Sequence, residues 1–278
     1  MCPVIFPDFP PIPRGISTWE RFSTLQEVNM ELVSGPSSEC ALVAPESLEA
    51  IGVKGDRVHD TPSTVALPVL VSRDSFVFPG LIGTLNVRRL ASRAALDAAV
   101  NRDRRLLLIV QRDPELDNPI EADLYAYGTV CEVMHRNPLP DGSLRIVLRG
   151  IGRAWVRSLS TRDGSLWTEP EPVTEFDPEG PATEAARRLL VDLFAALVTR
   201  DSRIPEEALD VVEKATSLGA ATDAVAHHLP LEASGRQATL EERNPLCRAE
   251  WLIGAIAREN EIRSGAAPKP ASPTSSAT

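Results

Sequence analysis

The hydrophobic period of this chain changes once, and that change constrains the fold more than any other feature. Between Leu67 and about Leu159 the apolar residues fall in short, strand-length runs separated by turn residues. From about residue 181 they recur at the 3.6-residue spacing of amphipathic helices. Runs of strands followed by runs of helices predict an α+β protein, with sheet and helices segregated along the chain.

The strand half is punctuated clearly. Leu67-Pro-Val-Leu-Val71 and Gly83-Thr-Leu-Asn-Val87 read as strands on either side of the turn dipeptide Pro79-Gly80. A helix follows, with Ser92 as N-cap and Ala95, Leu96, Ala99 and Val100 at helical spacing. Arg102, Arg104 and Arg105 sit near its C-terminal end, where positive charge suits the helix dipole. Leu106-Leu-Leu-Ile-Val110 is an unbroken apolar run, which predicts a strand buried on both faces. Arg112 to Asp123 holds two prolines and reads as a loop. Tyr125 to Met134 and Ser143 to Leu148 form a hairpin around Pro138-Leu-Pro-Asp-Gly142. Gly150 and Gly152 predict a bulge or sharp bend before a further strand over Ala154 to Leu159. Strands at this spacing, with one inserted helix, predict a small β-barrel or sandwich.

In the helical half, Leu189, Leu190, Leu193, Leu197 and Val198 mark one face of a helix over Thr183 to Arg200. Pro205, with Glu206 and Glu207, opens a second, which Gly219 ends or separates from a helix over Thr222 to His228. Ser234 to Glu242 reads as a weaker helix. Asn244 and Pro245 are the N-cap and first position of the last one. The predicted organisation is a poorly ordered extension over 1–61, a β domain over 62–175, a helical bundle over 176–263 and a disordered tail over 264–278. Apart from Gly265 and Lys269 the tail is Ala, Pro, Ser and Thr, which bury too little apolar area to order a chain.

A formal net charge of −10 disfavours nucleic-acid backbones and anionic membranes as partners. No apolar run approaches the ~20 residues that span a bilayer, and the N-terminus lacks the pattern of a signal peptide. Cys2, Cys40, Cys131 and Cys247 form no CxxC pair, so they read as free thiols of a cytoplasmic protein.

The search for chemistry excludes more than it finds. No GxxxxGK[ST], GxGxxG or GxSxG motif occurs. Lys214 falls on a solvated helix face, which argues against a Ser-Lys dyad. His227 and His228 point about 100° apart on a helix and chelate one ion poorly. Asp113, Glu115, Asp117, Glu121 and Asp123 lack the spacing of a calcium loop and read as solvated. Arg145, Arg149, Arg153 and Arg157 recur every four residues and would share a face on a continuous strand. Gly150 and Gly152 interrupt it, so the expectation is an outward polar face opposite Ile146, Leu148 and Val156. No catalytic residue, metal or cofactor is assigned.

Several stretches, in order, resemble the N-terminal substrate-binding domain of the Lon ATP-dependent proteases. They are Leu67-Pro-Val-Leu-Val-Ser-Arg-Asp-Ser-Phe-Val-Phe-Pro-Gly80, Leu106-Leu-Leu-Ile-Val-Gln-Arg-Asp-Pro-Glu-Leu-Asp117 and Asp123-Leu-Tyr-Ala-Tyr-Gly-Thr-Val130. Leu139-Pro-Asp-Gly142 leading to Val147-Leu-Arg-Gly-Ile-Gly-Arg153 continues the series. Ile204-Pro-Glu-Glu207 and Ala226-His-His-Leu-Pro-Leu231 follow in the helical part. The resemblance implies a PUA-like β-barrel followed by a helical bundle. It also implies a region that recognises unfolded or tagged substrates and supports hexamer assembly, with the ATPase and Ser-Lys peptidase further along the family's chain. Here the helix from Pro245 runs into Gly265-Ala-Ala-Pro, which implies a standalone version of the domain.

The expected function is therefore a non-catalytic protein-binding module, an adaptor or chaperone-like binder of unfolded segments, with unfolded or tagged polypeptides or a separate protease as its partners. RNA binding by the PUA-like barrel is the alternative, motivated by the arginine stripe and opposed by the net charge and the lack of clustered aromatics. The candidate substrate-binding residues are Phe76, Phe78, Tyr125 and Tyr127, on the barrel rim or between barrel and bundle.

Overall fold

The computed structural model describes residues 65–176 and 179–263. The expectations for 1–61 and for 264–278, and the thiols Cys2 and Cys40, lie outside those residues. The described residues belong to one compact unit.

Eight strands form one mixed sheet: β1 (Leu67–Ser72), β2 (Ile82–Val87), β3 (Arg105–Val110), β4 (Tyr127–Pro138), β5 (Leu144–Trp155), β6 (Ser160–Arg162), β7 (Ser165–Thr168) and β8 (Glu171–Pro172). Their order is β2-β5-β4-β3-β1-β7-β6, with β8 pairing β5. Only β1 and β3 are parallel; α1 (Leu90–Val100) lies in the connection between them. Five helices follow: α2 (Pro181–Val198), α3 (Glu207–Glu213), α4 (Leu218–His228), α5 (Ala233–Glu241) and α6 (Pro245–Arg263). The α+β class stands. The path of strand pairings ends at β2 and β6, which do not pair with each other, so the sheet does not close into the expected barrel ring.

The unbroken apolar run does bury both faces of β3. Leu106 and Leu108 join Leu70, Leu85, Ile146 and Leu148 beneath Leu96 and Ala99 of α1. Leu107 and Ile109 point the other way, among Val69, Leu124 and Ala154. Alternate side chains on a strand serve opposite faces, so such a strand must be apolar throughout.

The long hairpin of β4 and β5 shows where glycine changes the fold. β5 does not stop at the glycines; it runs through them as one strand. Val130 pairs Gly152 and Cys131 pairs Gly150, leaving Ile151 as the extra residue of a bulge. An extra residue reverses which face the following side chains occupy. Gly150 is required by close approach, since a Cβ there would lie 2.2 Å from the Phe78 carbonyl oxygen. Its amide donates to Leu81 O at 2.8 Å, and its own carbonyl accepts from the Gly80 amide at 3.0 Å.

The helical layer forms around α4, in which Leu218, Gly219 and Ala221 to Ala226 are all buried. Small residues let α2 and α6 pack against it closely. α2 buries Ala186, Leu190, Phe194 and Leu197, the spacing of one helical face. α6 is capped as expected, with Asn244 Oδ1 accepting from the Leu246 amide at 3.0 Å.

Three local expectations are corrected. Ser92 is buried inside α1, and Arg89 occupies its N-cap position, so the helix begins earlier than the capping residue suggested. Arg102 and Arg104 lie beyond the helix end, Arg105 opens β3, and Arg104 takes a positive φ of 62°. Gly219 neither ends nor separates helices. It sits in the first turn of α4, after the N-cap Ser217, whose hydroxyl accepts from the Ala220 amide at 3.1 Å. A Cβ on Gly219 would crowd Glu175 Oε2 at 2.7 Å.

Candidate functional site at the junction of sheet and helices

The segment linking β1 to β2 carries Phe76 and Phe78 into the helical layer. Both are buried, in one apolar cluster with Val110 of β3, Phe194 and Leu197 of α2, Val225 of α4 and Leu252 of α6. Tyr125 is half-buried and packs against the same cluster. The Arg112 guanidinium lies 4.6 Å from the centre of its ring, a cation–π contact. Tyr127, at the start of β4, is also half-buried; its carbonyl accepts from Gln237 Nε2 of α5 at 3.2 Å. The structure thus places all four aromatic candidates along the junction, the phenylalanines inside it and the tyrosines nearer its surface.

A buried ion network ties the two layers together. Arg153 leaves β5 just past the bulge and enters the junction with its side chain 2% exposed. Its guanidinium donates to both oxygens of Asp223 on α4, at 2.9 and 2.5 Å, and through Nε to the Leu240 carbonyl at 3.0 Å. Glu175, between β8 and α2, bridges Arg153 at 2.5 Å and Arg248 of α6 at 2.6 Å. Arg248 also donates to Thr222 Oγ1 at 2.8 Å, to the Gly219 carbonyl at 3.1 Å and to the Glu242 carbonyl at 3.0 Å. Two cations meet two carboxylates, and both guanidiniums have partners, as burial of charge requires. Burial pushes the Asp223 carboxyl above its ordinary range, against the pull of Arg153 and Arg248.

This network corrects the arginine stripe. Arg145, Arg149 and Arg157 are exposed, whereas Arg153 is buried on the opposite side, because the bulge at Ile151 reverses the alternation. Arg149 pairs with Glu132 at 2.5 Å and Arg157 with Glu171 at 2.8 Å. The continuous cationic face that motivated RNA binding is not formed.

Beside the apolar seam, a cavity of about 180 Å³ is lined by Asp74, Ser75, Phe76, Phe78, His227 and Arg236. Asp74 accepts from the Ser75 hydroxyl at 3.0 Å. Burial, then His228 and Arg236, push the His227 imidazole down to about 4. The two histidine rings meet edge to face at 4.9 Å. Among the described residues, no group of three or more His, Cys, Asp or Glu side chains is arranged to hold a metal ion. Lys214 is exposed and paired with Asp210 at 2.8 Å. Burial pushes the Cys131 thiol up, so it carries little thiolate. No helix among the described residues is long and apolar enough to cross a membrane.

Sequence reasoning missed Arg236, Asp74 and Ser75, which share no motif. Arg153 carried a signal: the Gly150–Gly152 pair marks the bulge that reverses its face.

The geometry agrees with what the chain matches. The family model described as the ATP-dependent protease La (LON) substrate-binding domain covers residues 66–258. The chain belongs to this family. Lon protease of Xanthomonas oryzae pv. oryzae is 31% identical over 234 residues, 83% of this chain and 27% of the relative. Lon protease of Desulforamulus reducens is 34% identical over 197 residues, 71% of this chain and 24% of the relative. The chain thus spans about a quarter of the length of these Lon relatives. The N-terminal domain of a Mycobacterium avium complex Lon protease superposes with a TM-score of 0.59 at 23% identity, over 69% of this chain and 98% of that domain. That likeness shows the Lon N-terminal fold. The Lon substrate-binding region contains the sheet, the helical layer and the junction between them.

Proposed function

We propose that the chain is a non-catalytic recognition module that binds unfolded or tagged polypeptide segments, as an adaptor for a separate protease or as a holdase. The observation that carries this reading is the match of a substrate-binding domain to residues 66–258. The geometry supports it. In this reading the sheet is a PUA-like platform, held rigidly to the helical layer by the Arg153–Asp223 pair. Along the junction, the half-buried side chains of Tyr125 and Tyr127 offer aromatic contact to a polypeptide, beside the cavity that the buried Phe76 and Phe78 back. Aromatic surface suits unfolded chains because its contacts are apolar and tolerant of sequence.

Titration of the chain into a labelled, permanently unfolded polypeptide, followed by anisotropy, tests the reading. Saturable binding is expected, outcompeted by unlabelled unfolded chain and not by a folded protein of equal size. Tyr127→Ala is expected to weaken it severalfold. An unchanged anisotropy, with no suppression of aggregation of a heat-denatured protein, would overturn the proposal.

A further inference from the structure

Three of the arginines at the junction differ in their surroundings. Arg153 and Arg248 are buried and bonded to carboxylates, carbonyls and a hydroxyl. Arg236 of α5 is not. Its Nε is buried without a hydrogen-bond partner, and it forms no ion pair with any described residue. A buried donor left unmet costs about 1–3 kcal/mol. The same side chain lines the cavity of about 180 Å³ beside the apolar seam.

The other walls restrict what the cavity takes. Phe76 and Phe78 stand in the wall but are only 8% and 1% exposed, so the accessible lining is chiefly polar, and Ser75 supplies a hydroxyl. Asp74 puts a carboxylate at the same cavity, which repels a multiply charged ion more strongly than a single carboxylate. His227 is uncharged near neutral pH, so among the described residues Arg236 is the one cation that lines the cavity. A guanidinium recognises a carboxylate through paired N–H donors, and burial strengthens that recognition.

We propose that the cavity lined by Arg236, Ser75, Phe76 and Phe78 is a carboxylate subsite, taking a carboxylate of a bound polypeptide. It rests on the reading of the chain as a polypeptide binder and names the chemistry of one contact. The carboxylate comes from the chain's C-terminus or from an Asp or Glu side chain; Arg236 reads the same group in either case.

Four labelled hexapeptides separate these sources. One ends in Phe with a free carboxylate. The second is its C-terminal amide. The third and fourth are amides carrying Glu or Gln beside the Phe. Binding to the full chain is followed by anisotropy, alongside the unfolded polypeptide used above. The free acid over its amide, or the Glu peptide over the Gln peptide, is expected to bind about tenfold tighter, and Arg236→Gln to reduce that ratio below twofold. Arg236→Lys keeps the charge and is expected to keep part of the ratio. Asp74→Asn, on an exposed segment, removes the opposing charge and is expected to tighten the carboxylate peptide severalfold, which provides a second test should Arg236→Gln fail to fold. Equal binding within both wild-type pairs overturns the subsite while the unfolded polypeptide still binds, leaving the recognition reading intact. Loss of binding to every peptide and to the unfolded polypeptide overturns both.

Discussion

Arg153 of the sheet and Asp223 of the helical layer are joined by two parallel hydrogen bonds, 2.9 and 2.5 Å long, with both side chains almost wholly excluded from water. Seventy residues separate them in the chain. The pair therefore reports on the assembly of the two layers rather than on either alone. Removing one partner leaves a buried charge uncompensated, and Asp223→Ala is expected to cost about 3–5 kcal/mol. Replacing both with apolar residues of similar volume is expected to recover most of that loss. Urea titrations of the two single variants and the double variant give the coupling; purely additive losses would show that the pair does not act as one unit.

Gly150 and Gly152 look alike in sequence and differ in consequence. A Cβ on Gly150 meets the Phe78 carbonyl oxygen, a backbone atom that accepts from the Leu81 amide at 3.2 Å. A Cβ on Gly152 meets nothing within 4 Å. Gly150→Ala is expected to destabilise by about 1–3 kcal/mol, as overpacking does. Gly152→Ala is expected to be neutral or to stabilise by about 0.5 kcal/mol, through the entropy of the unfolded chain. Thermal unfolding of the two variants checks the contrast, and similar shifts would remove the close-approach argument.

The periodicities made most of the architecture legible, because burial imposes them directly. The run Leu106 to Val110 had to be a two-faced strand, and Leu190, Leu197 and Val198 had to share a helical face. The hairpin of β6 and β7 went unread although its signal was present: Asp163 and Gly164 both take positive φ, 49° and 76°, as an Asp-Gly turn between strands does. Its strands are three and four residues long, too short for alternation to register. The face of Arg153 was misread because a four-residue repeat assumes unbroken alternation, and one bulge inverts it. The cavity was not legible at all. Asp74 and Arg236 lie far apart in sequence, and only packing brings them to one wall.

Phe78 and Tyr127 are expected to separate stability from recognition. Phe78 is 1% exposed at the centre of the seam. Phe78→Ala is expected to cost about 3–5 kcal/mol and to lower the unfolding temperature sharply. Tyr127 is half-buried, and its hydrogen bond to α5 uses its backbone carbonyl, which alanine retains. Tyr127→Ala is therefore expected to cost less than half as much while weakening polypeptide binding. Calorimetry and anisotropy on both variants test the division; equal destabilisation would make Tyr127 a core residue.

His227 gives the junction a defined dependence on pH. Burial, with His228 and Arg236 nearby, pushes its imidazole down to about 4, against about 6.5 in the unfolded chain. Between those values the unfolded chain binds the proton and the folded chain resists it. The contribution is therefore fully present above pH 6.5 and is lost as pH falls toward 4. Burial pushes His228 in the same direction, and Asp74 is the carboxylate that lines the same cavity. The full shift corresponds to about 3 kcal/mol; partial access of water to the cavity reduces this toward 1–2 kcal/mol. Urea midpoints at pH 7.5 and pH 5.0 are expected to differ more for the wild type than for His227→Asn, which has no proton to gain. Equal differences in the two proteins would place the acid sensitivity elsewhere.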